Sequence, residues 1–219
     1  MNNVLDLAHA LTALTQGVLE FSDVNWMDAA SKDKMESKAW LCEMLDDLAP
    51  YYGTAWLIGG WMGILPLLLL TTKGDRSERI VSIDLDERAC GAADIILRKL
   101  VIANWKFIGC PCDGMRIEYR SENMNRIRAD GGAQNFRISC NTVVNTSGKQ
   151  FADTKTWFWL IPGRKTAIIE VNTSPDANGH ISRPKNLNEL CRQTPFKRLL
   201  FSGKTPVGNH LRLMTAGYT

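Results

Sequence analysis

Apolar residues recur at helical spacing through the first fifty positions, as Val4, Leu5, Leu7, Leu11, Leu14 and Val18, then as Met35, Trp40, Leu41, Leu45 and Leu48. A side chain every three or four positions lines one helix face, so the pattern predicts helices over about 4–20 and 34–49. From Thr54 onward the pattern changes to short continuous apolar runs, Thr54–Ile58, Ile80–Ile83, Phe107–Cys110, Asn141–Val144 and Thr166–Val171. Runs without polar alternation read as strands buried on both faces of a parallel sheet. Helices are predicted between them over 63–70, about 87–103 and 154–160, with another over 187–193. The polar, basic segment Ser121–Gln134, which carries Gly131-Gly132, predicts a surface helix and loop. Lys197–Phe201 and His210–Ala216 are β-like and are joined by Gly203–Gly208 with no helix between, so they should pair antiparallel. The expected fold is α/β: a mostly parallel sheet closed by one reversed strand, with an N-terminal helical extension (1–50) on a sheet domain (51–219), a single domain overall.

At 219 residues the chain can enclose one substantial core. Its 45% apolar and 22% charged content is that of a soluble globular protein. Met1–Asp6 lacks a basic start, so no signal peptide is predicted. The longest apolar stretch, Ala55–Leu70, is broken by three glycines and Pro66 and falls short of a membrane span. A cytoplasmic location with no membrane partner is expected. The net charge of +3 conceals a polarity along the chain, with three lysines against nine acids in 1–50, and seven Lys or Arg against Glu189 in 183–219. A basic end carrying Arg192, Lys197, Arg198 and Lys204 admits nucleic acid as a partner, and equally a complementary contact within one fold or between subunits. The six cysteines (42, 90, 110, 112, 140 and 191) show no Cys-x-x-Cys spacing, and His9, His180 and His210 are far apart. No metal site is expected, and the thiols are expected to be reduced.

The candidate chemistry lies between Trp56 and Asp86. The turn Gly59-Gly60-Trp61-Met62-Gly63 separates a predicted strand from a predicted helix. Glycines there permit positive φ and let a ligand lie against bare backbone at a helix N-terminus. Asp84 ends the next strand run, placed to accept hydrogen bonds from a ribose diol. Its spacing from Gly60 is close to the roughly 20 residues expected between glycine turn and acid in nucleotide-binding βαβ units. The turn is not Gly-x-Gly-x-x-Gly, so a ligand with a nucleoside and no phosphate fits better than a nicotinamide or flavin.

The reversed final hairpin, the glycine turn and Asp84 together resemble the class I S-adenosylmethionine-dependent methyltransferase fold, a Rossmann-like sheet. Ser37-Lys38-Ala39-Trp40, Leu57–Gly63, Ser82–Asp86, Asp113-Gly114-Met115, Val144–Ser147 and Trp157–Pro162 occur in the order seen in a small methyltransferase-like family of bacteriophages and bacteria. The resemblance spans about 37–216. It implies S-adenosylmethionine as cofactor, with Gly59, Gly60, Trp61 and Gly63 at its methionine part, Asp84 at the ribose and Asp113 at the adenine amine. Asn145 and Ser147, at the end of the fourth run, are the expected acceptor-positioning residues. Where the family continues Asn-Thr-Ser with Cys-Glu-His, this chain has Gly148-Lys149-Gln150, so a carboxylate and an imidazole able to move a proton are missing. The resemblance therefore implies either methyl transfer to an unidentified acceptor or an inactive binding or structural subunit, as in a virion or a homo-oligomer.

Overall fold

The computed structural model describes residues 3–48, 51–72, 76–98, 105–127, 133–147, 153–173 and 184–219. Three helices open the chain, α1 (Asn3–Glu20), α2 (Trp26–Ala29) and α3 (Lys32–Leu48). Alternation follows through β1 (Gly53–Ile58), α4 (Ile64–Thr72), β2 (Ser77–Asp84), α5 (Glu87–Ile96) and β3 (Phe107–Pro111). Next come β4 (Ser121–Ile127), β5 (Ala133–Ser139), β6 (Thr142–Asn145), α6 (Thr154–Trp159), β7 (Thr166–Asn172), α7 (Leu187–Gln193) and a hairpin of β8 (Arg198–Val207) and β9 (His210–Tyr218). Side-chain caps start four of the helices: Asn25 on α2, Asp86 on α5, Asp153 on α6 and Asn186 on α7 each accept a backbone N–H of the first turn.

Seven strands form one sheet in the order β3-β2-β1-β6-β7-β9-β8. The five from β3 to β7 are parallel, and β9, last in the chain, is inserted antiparallel between β7 and β8. The connection reverses direction across the sheet between β1 and β6, and the crevice beyond the carboxyl ends of such strands is where ligands collect.

The continuous apolar runs supply both faces. Leu57, Val144, Ile168 and Met214 point to one side, where α3 delivers Leu41 and Leu45 beside Leu65 of α4 and Ile96 of α5. Trp56, Val143, Ile169 and Leu213 point to the other, against Trp157 and Phe158 of α6 and Leu190 of α7. There Trp157 Nε1 donates to Tyr119 Oη at 2.7 Å, and Tyr119 donates to Gly114 O at 2.7 Å, which ties the loop after β3 to the core.

The described residues of the segment expected as a surface helix and loop, Ser121–Ile127 and Ala133–Gln134, are strand, and 128–132 lie outside the described residues. β4 and β5 pair antiparallel from Ser121↔Ser139 to Ile127↔Ala133. Their residues are poor strand formers, but Met124 and Ile138 are buried in the second core and cross-strand pairing supplies what propensity lacks. The helix expected over 87–103 ends at Ile96, and 99–104 lie outside the described residues. β8 runs on through Lys204 and Pro206, where a loop is expected; it is an edge strand, which tolerates proline.

Candidate functional site

The glycine turn follows β1 directly. Gly59 takes φ +73° and donates its N–H to Ile83 O at 2.8 Å, while Trp61 holds φ 45°. Close approach on the far side explains both leading glycines. A Cβ on Gly59 would collide with Ser147 Oγ, and one on Gly60 with Ser82 Oγ. Gly63, at φ +75°, lies where a Cβ would come 2.9 Å from that of Ala93 on α5.

Asp84 closes β2 and holds the turn. Its Oδ2 accepts the Trp61 N–H at 3.0 Å and its Oδ1 the Asp86 N–H at 3.1 Å. Burial pushes its carboxyl pKa up, against the pull of those two backbone donors. A carboxylate has about four lone-pair sites, so each oxygen keeps accepting capacity. Across the turn, the Thr146 hydroxyl donates to Ile58 O and Gly59 O, and the Ser147 N–H donates to Asn145 Oδ1 at 2.8 Å.

The N-terminal helices form the opposite wall. Lys34 Nζ pairs with Asp28 at 2.5 Å and sits 4.5 Å from the centre of the Trp61 ring. One turn on, the Ser37 hydroxyl donates to Glu170 Oε1, and Arg212 approaches the same oxygen at 3.7 Å. Between these walls lies a cavity of about 370 Å³, within the usual range for small-molecule sites. Gly59, Gly60, Trp61, Asp84 and Ser147 line one part of it, and Lys38, Glu170 and Arg212 another.

The remaining expected site residues lie elsewhere. Gly63 packs against α5 and is not among the lining residues. Asp113 is not a lining residue either: its carboxylate accepts the Met115 N–H at 2.8 Å and pairs with Arg116 at 3.4 Å. Asn145 is fully buried; its Oδ1 serves Ser147, and its Nδ2 has no partner among the described residues. Gly148-Lys149-Gln150 fall outside the described residues. Arg192, Lys197, Arg198 and Lys204 are all exposed, the last two on the edge strand β8. Glu170 and Arg212 carry no motif, though a carboxylate inside the apolar run Ala167–Val171 is the signal that marks Glu170, since unpaired charges are rarely buried. Among the described residues there is no cluster of three or more metal-ligating side chains, and no helix is long and apolar enough to cross a membrane.

Among solved structures, the chain is similar to the N-methyltransferase NodS of Bradyrhizobium japonicum in complex with S-adenosylhomocysteine, at 14% identity and TM-score 0.57, over 94% of this chain and 98% of that one. The chain has the class I methyltransferase fold. The magnesium protoporphyrin IX methyltransferase of Synechocystis, with bound S-adenosylhomocysteine, aligns at TM-score 0.57 and 12% identity over 89% of this chain and 88% of that one. A geranyl diphosphate methyltransferase in complex with S-adenosylmethionine aligns at TM-score 0.57 and 11% identity, over 85% and 86%. No protein-family model matches the sequence, and no curated protein does. Within the methyltransferase fold, the glycine turn follows β1 at the point where the sheet order reverses, and Asp84 ends the neighbouring β2.

Proposed function

We propose that the protein binds S-adenosylmethionine at the glycine turn and transfers its methyl group to an acceptor seated farther along the same cavity. The observation that carries this reading is the shared cavity: bare backbone at Gly59–Gly60, the Asp84 carboxylate and the Ser147 strand end open on one volume that extends to a second charged wall. Structural neighbours with S-adenosylmethionine or S-adenosylhomocysteine bound support the choice of ligand. The residues fit it. Asp84 retains lone pairs for two hydroxyl donors after its two backbone bonds, and Trp61 lines the same wall.

When bound, the cofactor supplies a methyl group already activated on a sulfonium. The chain's own task is then alignment and exclusion of water, which demand little acid or base chemistry. Asp84 anchors the nucleoside end. The Ser147 hydroxyl lies beside Gly59, between that end and the charged wall, and is the group placed to position an acceptor; Asn145 acts behind it by accepting its N–H.

Calorimetry with S-adenosylhomocysteine tests the binding, and labelled methyl transfer to RNA, DNA, protein and small-molecule pools tests the chemistry. Binding at a single site with transfer to one pool is expected. A folded protein that binds no cofactor overturns the reading. Binding without transfer to any pool leaves the inactive subunit, the alternative that the missing Glu and His of Gly148-Lys149-Gln150 favour.

A further inference from the structure

Past Ser147 the cavity reaches three charged side chains that cofactor binding does not use. Glu170 on β7 is 2% exposed and Arg212 on β9 is 7% exposed, and Lys38 comes from α3. Strands lie about 4.8 Å apart, so the three spacings from β2 to β7 put roughly 14 Å between Asp84 and Glu170. That separates a nucleoside anchor from an acceptor anchor.

Among the described residues that line this end, the charges do not cancel. Lys34 is matched by Asp28. Lys38 and Arg212 share Glu170, whose Oε1 takes the Ser37 hydroxyl and faces Arg212 at 3.7 Å, longer than a hydrogen bond. Arg212 Nε is buried with no hydrogen-bond partner among the described residues. A buried donor left unpaired is costly and calls for an explanation, and a guanidinium fork matches the two oxygens of an oxyacid.

Resting on the methyltransferase reading above, we propose that the acceptor is anionic and is recognised by its carboxylate or phosphate, held between Lys38 and Arg212, with Glu170 orienting the guanidinium. Lys38 is poised for this. Burial lowers its pKa to about 8, with Lys34 and Arg212 also pushing it down and Glu170 and Asp28 pulling it up. A bound anion adds a counter-charge and restores the ammonium.

The test is calorimetric titration with sodium sulfate and, separately, sodium acetate, each with and without S-adenosylhomocysteine. Sulfate stands for a phosphate and does not titrate in the range used; acetate stands for a carboxylate. The parent should bind at least one of them at a single saturable site, and the stronger arm names the group. Lys38→Met should weaken that binding about tenfold or more, the worth of one charge-assisted hydrogen bond. Arg212→Lys keeps a cation beside Glu170 while removing the fork, and should also weaken it. In the parent, affinity should fall as pH rises through the Lys38 titration, and Lys38→Met should abolish that dependence, a readout that needs no other variant to fold. If neither anion binds saturably, or Lys38→Met binds as the parent does, the proposal is overturned. Cofactor binding is read in the same cells: an anion site without it removes the methyltransferase reading and with it the acceptor assignment, whereas cofactor binding with no anion site removes this inference alone.

Discussion

Asp84 serves the backbone before it serves any ligand, because its two oxygens already accept the Trp61 and Asp86 N–H groups. Asp84→Ala therefore orphans two turn donors as well as two ligand donors, and should weaken S-adenosylhomocysteine binding by about 2–3 kcal/mol. Asp84→Asn keeps one carbonyl acceptor and should lose less; parent affinity in both variants, by calorimetry, refutes the ribose role. Only the ionised carboxylate accepts from both hydroxyls, so with a pKa raised by burial, binding should weaken on acidification sooner than it would at an ordinary aspartate. In the ligand-free protein the same shift has the opposite sign: Asp84's contribution to stability is full below the ordinary aspartate pKa and is lost as pH rises through the raised one. Lys38 is the converse case, a base depressed from 10.5 to about 8. Its contribution is full above 10.5 and lost as pH falls through about 8. Raising pH from about 7.5 to about 9.5 should therefore raise the urea midpoint of the parent relative to Lys38→Met.

At the scale of elements, the glycine turn is where two loops and a strand converge. Gly60→Ala forces a methyl group into Ser82 Oγ and should destabilise by on the order of 1–3 kcal/mol. Gly60 has no positive φ, so Ser82→Gly on the same chain should recover most of that loss. Gly59→Ala meets Ser147 in the same way, but Gly59 also holds φ +73°. Ser147→Gly should therefore leave a residual cost of about 1 kcal/mol that no repacking removes. Denaturant melts of the two double-mutant cycles read the difference; equal recovery in both refutes the backbone explanation.

For the molecule as a whole, the N-terminal helices are part of the core as well as a wall of the site. Leu41 and Leu45 of α3 lie in one cluster with Leu57 of β1 and Ile168 of β7. Leu41→Ala should cost about 2–5 kcal/mol and shift a single cooperative transition; a separate early transition would mark the helices as an independent unit. The acidic N-terminal helices meet the C-terminal hairpin inside the fold, since a Cβ at Gly208, in the β8–β9 turn, would collide with Asp33 of α3. Trp40 meets Phe201 of β8 edge to face at 6.3 Å between ring centres. Arg192, Lys197, Arg198 and Lys204 stay exposed. If they meet nucleic acid, affinity should fall by nearly one power of salt concentration per phosphate neutralised; absent or salt-independent binding to RNA and DNA ends that expectation.

The sequence alone determined the order and kind of most elements. Continuous apolar runs such as Trp56–Ile58 and Ile168–Ile169 carry burial on both faces within themselves, and the glycine turn and terminal Asp84 are local marks of a strand end. Tertiary structure alone decided the β4–β5 pairing, because Met124 and Ile138 gain their strand conformation from each other's strands and from the aromatic face beneath, not from their neighbours in sequence. It alone joined Lys38, Glu170 and Arg212, which α3, β7 and the inserted strand β9 bring from three distant parts of the chain. It also set Asn145 behind Ser147 and turned Asp113 onto its own loop. A strand-end residue's type is written locally, but the direction it faces depends on pleat and register with strands far away in the chain.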